Sequence, residues 1–277
     1  MLAPILRGFQ DVGEPRPFYD IIRRQGLCAN LRLCLDAADP RSFDGSGQSW
    51  NDRSEQSSPF FRGASASVTT DDPSFGGATA GVAGKASDYD YLKYDGGDFN
   101  RYSAANAAWM ERLHKAGAKW TFLAWIYLPS PSATQGIFGA VPTAENGIQI
   151  ITLSSAFRLF VGNAGAGALN VSSATVLPDS TQQRMFSVSV DEAAGVGLWG
   201  KDDVFESFTS TYTSPSAGAT SVTYEIGAVG SAGAPLAANS RIYQVAMWEG
   251  RALRQGELLA LFHASRRRYP PFRIRSG

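Results

Sequence analysis

With two cysteines, two histidines and no apolar run of membrane-spanning length, this 277-residue chain excludes several classes of function at once. Cys28 and Cys34 lie six residues apart on one extended segment, which would hold them roughly 20 Å from each other, beyond disulfide reach. They read as two free, buried thiols. His114 and His263 supply no cysteine–histidine metal pattern. Net charge is absent too: 25 lysines and arginines balance 25 aspartates and glutamates, so no long-range field recruits nucleic acid or an anionic membrane. The first twenty residues, MLAPILRGFQDVGEPRPFYD, lack the apolar core of about 7 to 15 residues that a signal peptide needs. No GxGxxG follows a strand, no GxxxxGK loop occurs, and no repeat of solenoid or propeller period is visible, so phosphate cradling has no support.

What is present is a core. Hydrophobic content of 44% and aromatic content of 12% exclude disorder and suit one large β domain or two smaller ones. The dominant period is two. Phe157, Leu159 and Val161 alternate with Arg158 and Phe160, and Phe186, Val188 and Val190 alternate with Ser187, Ser189 and Asp191. Lys119 to Leu128 carries apolar residues at both parities, the pattern of a central strand covered on both sides. Ile148 to Leu153 and Arg241 to Trp248 are further strands, separated by turns rich in glycine, serine, asparagine and alanine. Only two segments read as helices. One is capped by Ser103, runs to about Ala116 and stops at Gly117; the other runs from about Arg254 to Arg267, with Leu258, Leu261, Phe262 and Ser265 on one face and Glu257 in its first turn. Many strands with two short helices point to a β-sandwich.

Ordered motifs carry a family resemblance. A strand ending in Leu35-Asp36-Ala37 leads into a Gly-Ser-Gly-x-x-Trp-x-Asp loop, Gly45 to Asp52, then Tyr91-Leu-Lys-Tyr-Asp-Gly-Gly-Asp-Phe99 and Trp120 to Tyr127. The series closes with Ile242 to Trp248, Arg251-Ala-Leu253, Glu257 and Leu258 to Phe262. Over about residues 27 to 270 this resembles the concanavalin A-like lectin and glucanase superfamily, specifically the laminin-G-like jelly rolls of bacterial surface and bacteriophage structural proteins. The resemblance implies an all-β jelly-roll sandwich of two antiparallel sheets, its first strand paired near its last, with sugar binding a frequent activity. Three regions follow: an extended N-terminal docking arm over 1–26, the jelly roll over 27–265, and a basic tail over 266–277.

The expected site residues are few. Trp50 reads as a packing plug rather than a sugar platform, whereas Trp199, Tyr212 and Tyr224 lie in or beside turn-rich stretches and are the candidate carbohydrate contacts. Asp95-Gly-Gly-Asp98 reads as a tight turn. Because some members of the superfamily hold calcium with loop carboxylates, Asp95 and Asp98, with Asp90, are the candidate ligands; no other cofactor is expected. The strand-borne Glu-x-Asp-x-Glu of glucanases is missing, and the adjacent pairs Asp71-Asp72, Asp191-Glu192 and Asp202-Asp203 would point to opposite faces of a strand. His114 and His263 read as surface or boundary residues. A non-enzymatic protein is the expectation, with a polysaccharide-cleaving enzyme or a bacterial surface adhesion module as alternatives.

The arm carries the assembly reading. Leu6, Phe9, Phe18, Tyr19, Ile21 and Ile22 precede the first core strand among Pro4, Pro15 and Pro17, so they dock on a neighbouring subunit or fold back on their own sandwich. The expected protein is a virion component, in capsid, collar or tail, made without a signal peptide, homo-oligomeric, and partnered by other virion proteins and a host-surface glycan. Arg266-Arg267-Arg268, with Arg273 and Arg275, is either a solvated helix end or a dock for an acidic partner.

Overall fold

The period-two segments become strands. A computed structural model describes residues 16–76, 90–140, 145–165 and 167–269. Among these, two eight-stranded antiparallel sheets pack face to face. Sheet A runs β14 (Val204–Thr209), β13 (Val196–Lys201), β12 (Arg184–Asp191), β7 (Lys119–Tyr127), β16 (Arg241–Glu249), β5 (Tyr91–Lys93) and β4 (Ser74–Gly76), with β1 (Leu31–Asp36) also paired to β16. Sheet B runs β11 (Gly167–Ser172), β10 (Ala156–Gly162), β9 (Gly147–Leu153), β8 (Gln135–Gly139), β15 (Glu225–Ile226), β6 (Asn100–Tyr102), β3 (Phe60–Arg62) and β2 (Ser49–Trp50). The first strand does pair with the last, Leu33 opposite Met247 and Leu35 opposite Val245.

Between the sheets lies the main core, where Trp120, Phe122, Ala124 and Ile126 of β7 meet Phe138, Ile148, Ile150, Phe157 and Leu159 of sheet B. Trp50 is buried in it, as a plug should be. The other parity of β7, Leu123 and Trp125, faces a second apolar cluster built with α1 (Phe18–Arg24) and α3 (Gln255–Ser265). Sheet A is therefore covered on both sides, which is why β7 is apolar at both parities. Trp125 packs on Phe262 and Tyr269 with ring centroids 6.1 and 4.4 Å away, and its Nε1 donates to Ser265 Oγ at 3.0 Å. The face of α3 that packs here is the expected one: Leu258, Leu261, Phe262 and Ser265 are all buried.

Three expectations are corrected. The helix from Ser103 shrinks to α2 (Ala108–Glu111). Asn106 pins the preceding strap through Thr220 Oγ1 and the Val222 carbonyl, and the Leu113 carbonyl is taken by Trp120 Nε1 and Tyr212 Oη instead of a helical amide. The docking role of Phe18, Ile21 and Ile22 falls, because all three are buried against the chain's own second cluster; Tyr19 is partly exposed on the same helix, while Leu6 and Phe9 lie outside the described residues. The basic run is not uniformly solvated either. Arg268 is buried, its guanidinium 2.8 Å from Asp36 Oδ2, while Arg266 sits over the Phe262 ring.

Candidate functional site

The outer face of sheet B, unlike that of sheet A, carries no helix among the described residues. Register aligns its outward side chains in two rungs. One runs Arg101, Glu225, Gly139, Gln149, Phe160, Asn170; the next runs Gly136, Ile151, Arg158, Ser172. In both rungs β8 contributes glycine, and the reason is local. A Cβ on Gly136 would stand 2.6 Å from the Ala228 carbonyl carbon, while one on Gly139 would stand 2.5 Å from the Ile148 carbonyl oxygen of β9 and 3.1 Å from Val229 Cγ1. The missing side chains let segment 228–234 lie against the sheet. It is held there by Gly136 N–H donating to the Ala234 carbonyl at 2.6 Å and Ala232 N–H donating to Glu225 Oε2 at 3.0 Å. Ser231, Ala232 and Ala234 all have positive φ, a cluster of backbone strain of the kind found at binding sites.

Between this wall and Phe160, whose ring crosses Gly167, lies a groove of about 330 Å³. Ile151, Leu153, Phe160 and Val229 give it an apolar floor and sides; Thr134, Gln149 and Arg158 are its polar lining. Arg158 is oriented by Asn170, its Nε donating to Asn170 Oδ1 at 2.6 Å. Glu225 shares the face, but it is buried beneath 228–234 and met by Arg101 at 2.7 Å. The arrangement has the composition of a ligand cleft, apolar with a few oriented polar groups.

A second concavity, about 210 Å³, lies between α1 and the loop 54–56, lined by Tyr19, Cys28, Arg32, Glu55 and Gln56. Its polar groups bond one another: Tyr19 Oη donates to Glu55 Oε1 at 2.9 Å, and Arg32 Nη1 to Gln56 Oε1 at 3.0 Å. Burial, with Glu55 as acceptor, pushes the Tyr19 hydroxyl up to about 12, and burial raises the Cys28 thiol as well.

The residues named from sequence as sugar contacts are corrected. Trp199, Tyr212 and Tyr224 are 0, 4 and 0% exposed and belong to the core between the sheets, so no sugar ring reaches them. Trp199 lies within β13, and Tyr212 and Tyr224 lie in the segments between strands yet are buried in the same core. Asp95 and Asp98 form the expected turn, with Asp95 N–H donating to Asp98 Oδ2 and Gly97 N–H to Asp95 Oδ1. Burial first, then the Asp95 charge, pushes Asp98 up to about 7. Among the described residues no group of three or more His, Cys, Asp or Glu is arranged to hold a metal, so the calcium site gains no ligand set. His114 is buried, not superficial, its Nε2 2.9 Å from the Gly218 carbonyl; burial lowers its pKa. His263 is exposed. The groove residues Arg158 and Phe160 were legible as the outward parity of β10, though nothing local marked that parity as a site.

No family model matches the chain, and no curated protein matches it either. Solved structures do. A Trypanosoma rangeli sialidase in complex with sialic acid aligns over 84% of this chain and 33% of its own at 14% identity and a TM-score of 0.52. The binding domain of Paraclostridial Mosquitocidal Protein 1 aligns over 85% and 52% at 12% identity and a TM-score of 0.55. A botulinum neurotoxin type C structure, whose cell entry depends on interaction with two ganglioside molecules, aligns over 87% and 53% at 10% identity and a TM-score of 0.56. The chain spans about a third of the sialidase and half of each toxin structure. At these identities the likeness is one of fold alone, a sheet-rich β-sandwich. It also corrects the expectation of a non-enzymatic protein: sialidases share this architecture, so the fold sets no bar to catalysis. No helix among the described residues is long and apolar enough to cross a membrane.

Proposed function

We propose that the chain is a glycan-binding sandwich module that meets its ligand with the outer face of sheet B. The observation that carries this reading is the asymmetry of the two sheets: α1, α3 and the Arg266–Arg268 turn occupy the outer face of sheet A, whereas sheet B presents a groove with an apolar floor and oriented polar groups. Sugars offer such a groove both apolar ring faces and hydroxyls. Structures with this fold that are described with sialic acid and with gangliosides support the same ligand class.

The laminin-G-like motifs support a setting in a bacteriophage particle, as a capsid, collar or tail component that turns sheet B toward a host-surface glycan. There the chain would pair with other virion proteins on the sheet A side. A glycan microarray probed with the complete chain and with Thr134→Trp, which fills the groove from an exposed rim position, tests the binding reading. Binding by the parent and its loss in the variant are expected; equal signals from both would remove the groove from the account. The same saccharides, analysed for cleavage after incubation, report whether the module also hydrolyses them.

A further inference from the structure

We infer that the saccharide taken by the sheet B groove is acidic, and that Arg158 receives its carboxylate; this deepens the glycan reading and rests on it. The argument starts from how arginines are matched elsewhere on the sandwich. Arg101 meets Glu225, Arg184 meets Asp179 and Asp202, Arg32 and Arg112 meet Glu249, and Arg268 meets Asp36. Arg158, like Arg62 and Arg241, has no carboxylate paired with it among the described residues, but those two are met by backbone carbonyls and by aromatic rings, whereas Arg158 is partly buried, bonds the neutral Asn170 Oδ1 through Nε and lines the groove.

Nor, among the described residues, does any carboxylate line the groove beside it. Its neighbours Ile151, Leu153 and Phe160 lower the local dielectric, so a charge-assisted bond made there is stronger than one made in open water. Asn170, by taking Nε, fixes the plane of the guanidinium and leaves the two η nitrogens as the donor edge. A planar carboxylate accepts from such a fork through both oxygens. A sulfate or phosphate ester can use the same fork, but its remaining oxygen would meet no second cation among the described lining residues, whereas a carboxylate is fully met by it.

Titration calorimetry of the complete chain against matched sugars tests this, using lactose, 3′-sialyllactose and 3′-sulfated lactose, and a glucose disaccharide against its glucuronate-containing counterpart. Acidic members are expected to bind about tenfold tighter than neutral ones, the effect of one hydrogen-bonded charge. Arg158→Met brings the acidic sugars to the level of the neutral ones measured on the same variant, Arg158→Lys restores part of the difference, and sulfated lactose binds more weakly than sialyllactose. Equal affinity for acidic and neutral members, or a preference that survives Arg158→Met, overturns the inference. So does sulfated lactose binding as tightly as sialyllactose. Thr134→Trp separates this failure from that of the parent reading: if neutral and acidic sugars bind alike and the variant loses both, the groove is a neutral-sugar site and only the acidic assignment falls. If no saccharide binds the complete chain, both fall.

Discussion

Asp36 shows how one side chain can organise distant parts of a sequence. Its buried carboxylate accepts from the Phe18 and Ala38 amides and from both η nitrogens of Arg268, so the start of α1, the end of β1 and the turn after α3 meet at one charge. Asp36→Asn leaves the Arg268 cation buried without its counter-charge, and a loss of about 3 to 5 kcal/mol in urea denaturation is expected. Asp98 works in the opposite sense. Its folded pKa of about 7 lies above an unfolded value of about 3.9, so folding favours the protonated form. Its contribution is fully present below the unfolded value and is lost as pH rises through about 7. Denaturation at pH 5 and pH 8 should show the parent more stable at the lower pH with respect to this group, and Asp98→Asn should flatten the difference; an unchanged slope would reassign it to other residues.

At the scale of elements, the legible parts were those whose pattern depends on one strand or helix alone. The two-faced β7, the alternation of β10 and β12, and the buried face of α3 follow from side-chain parity and from helical spacing, properties carried by neighbouring residues. The helix from Ser103 was misread because its fate lies in distant partners: Thr220 and Val222 hold the Asn106 side chain, and Trp120 and Tyr212 take the Leu113 carbonyl that a longer helix would have used. Segment 228–234 was unreadable for the same reason, since only the register of β8 shows that two glycines open a seat for it. Gly136→Ala would push a methyl group into the backbone at Ala228, a fixed obstacle rather than a yielding side chain. About 1 to 3 kcal/mol of destabilisation is expected, together with loss of the groove wall. Saccharide titration of the folded variant should show weakened binding; a variant that binds as the parent does would show that 228–234 is no part of the site.

For the whole molecule, the sandwich is polar in its use of faces, with α1, α3 and both ends of the described chain gathered on sheet A and the groove on sheet B. Truncation separates the parts of the arm. Removing residues 1–26 takes away Phe18, Ile21 and Ile22, each worth about 1.5 to 3 kcal/mol of burial, and should lower the melting temperature sharply. Removing 1–15 keeps α1 and its contact with Asp36 and should melt well above the 1–26 deletion; sedimentation of that shorter chain then reports on assembly with α1 in place. Equal melting temperatures for the two truncations would mean that α1 does not belong to the cooperative unit. The sequence by itself determined the all-β class, the doubly covered central strand, the plug at Trp50 and the turn at Asp95 to Asp98, because each is written in local spacing. Only the tertiary structure decided that Trp199, Tyr212 and Tyr224 point inward, that the arm helix belongs to its own sandwich, and that Arg158 lines an open groove with no carboxylate paired to it among the described residues. These outcomes depend on which strands become neighbours and which sheet face the helices occupy, and contacts between residues far apart in the chain leave no local pattern to read.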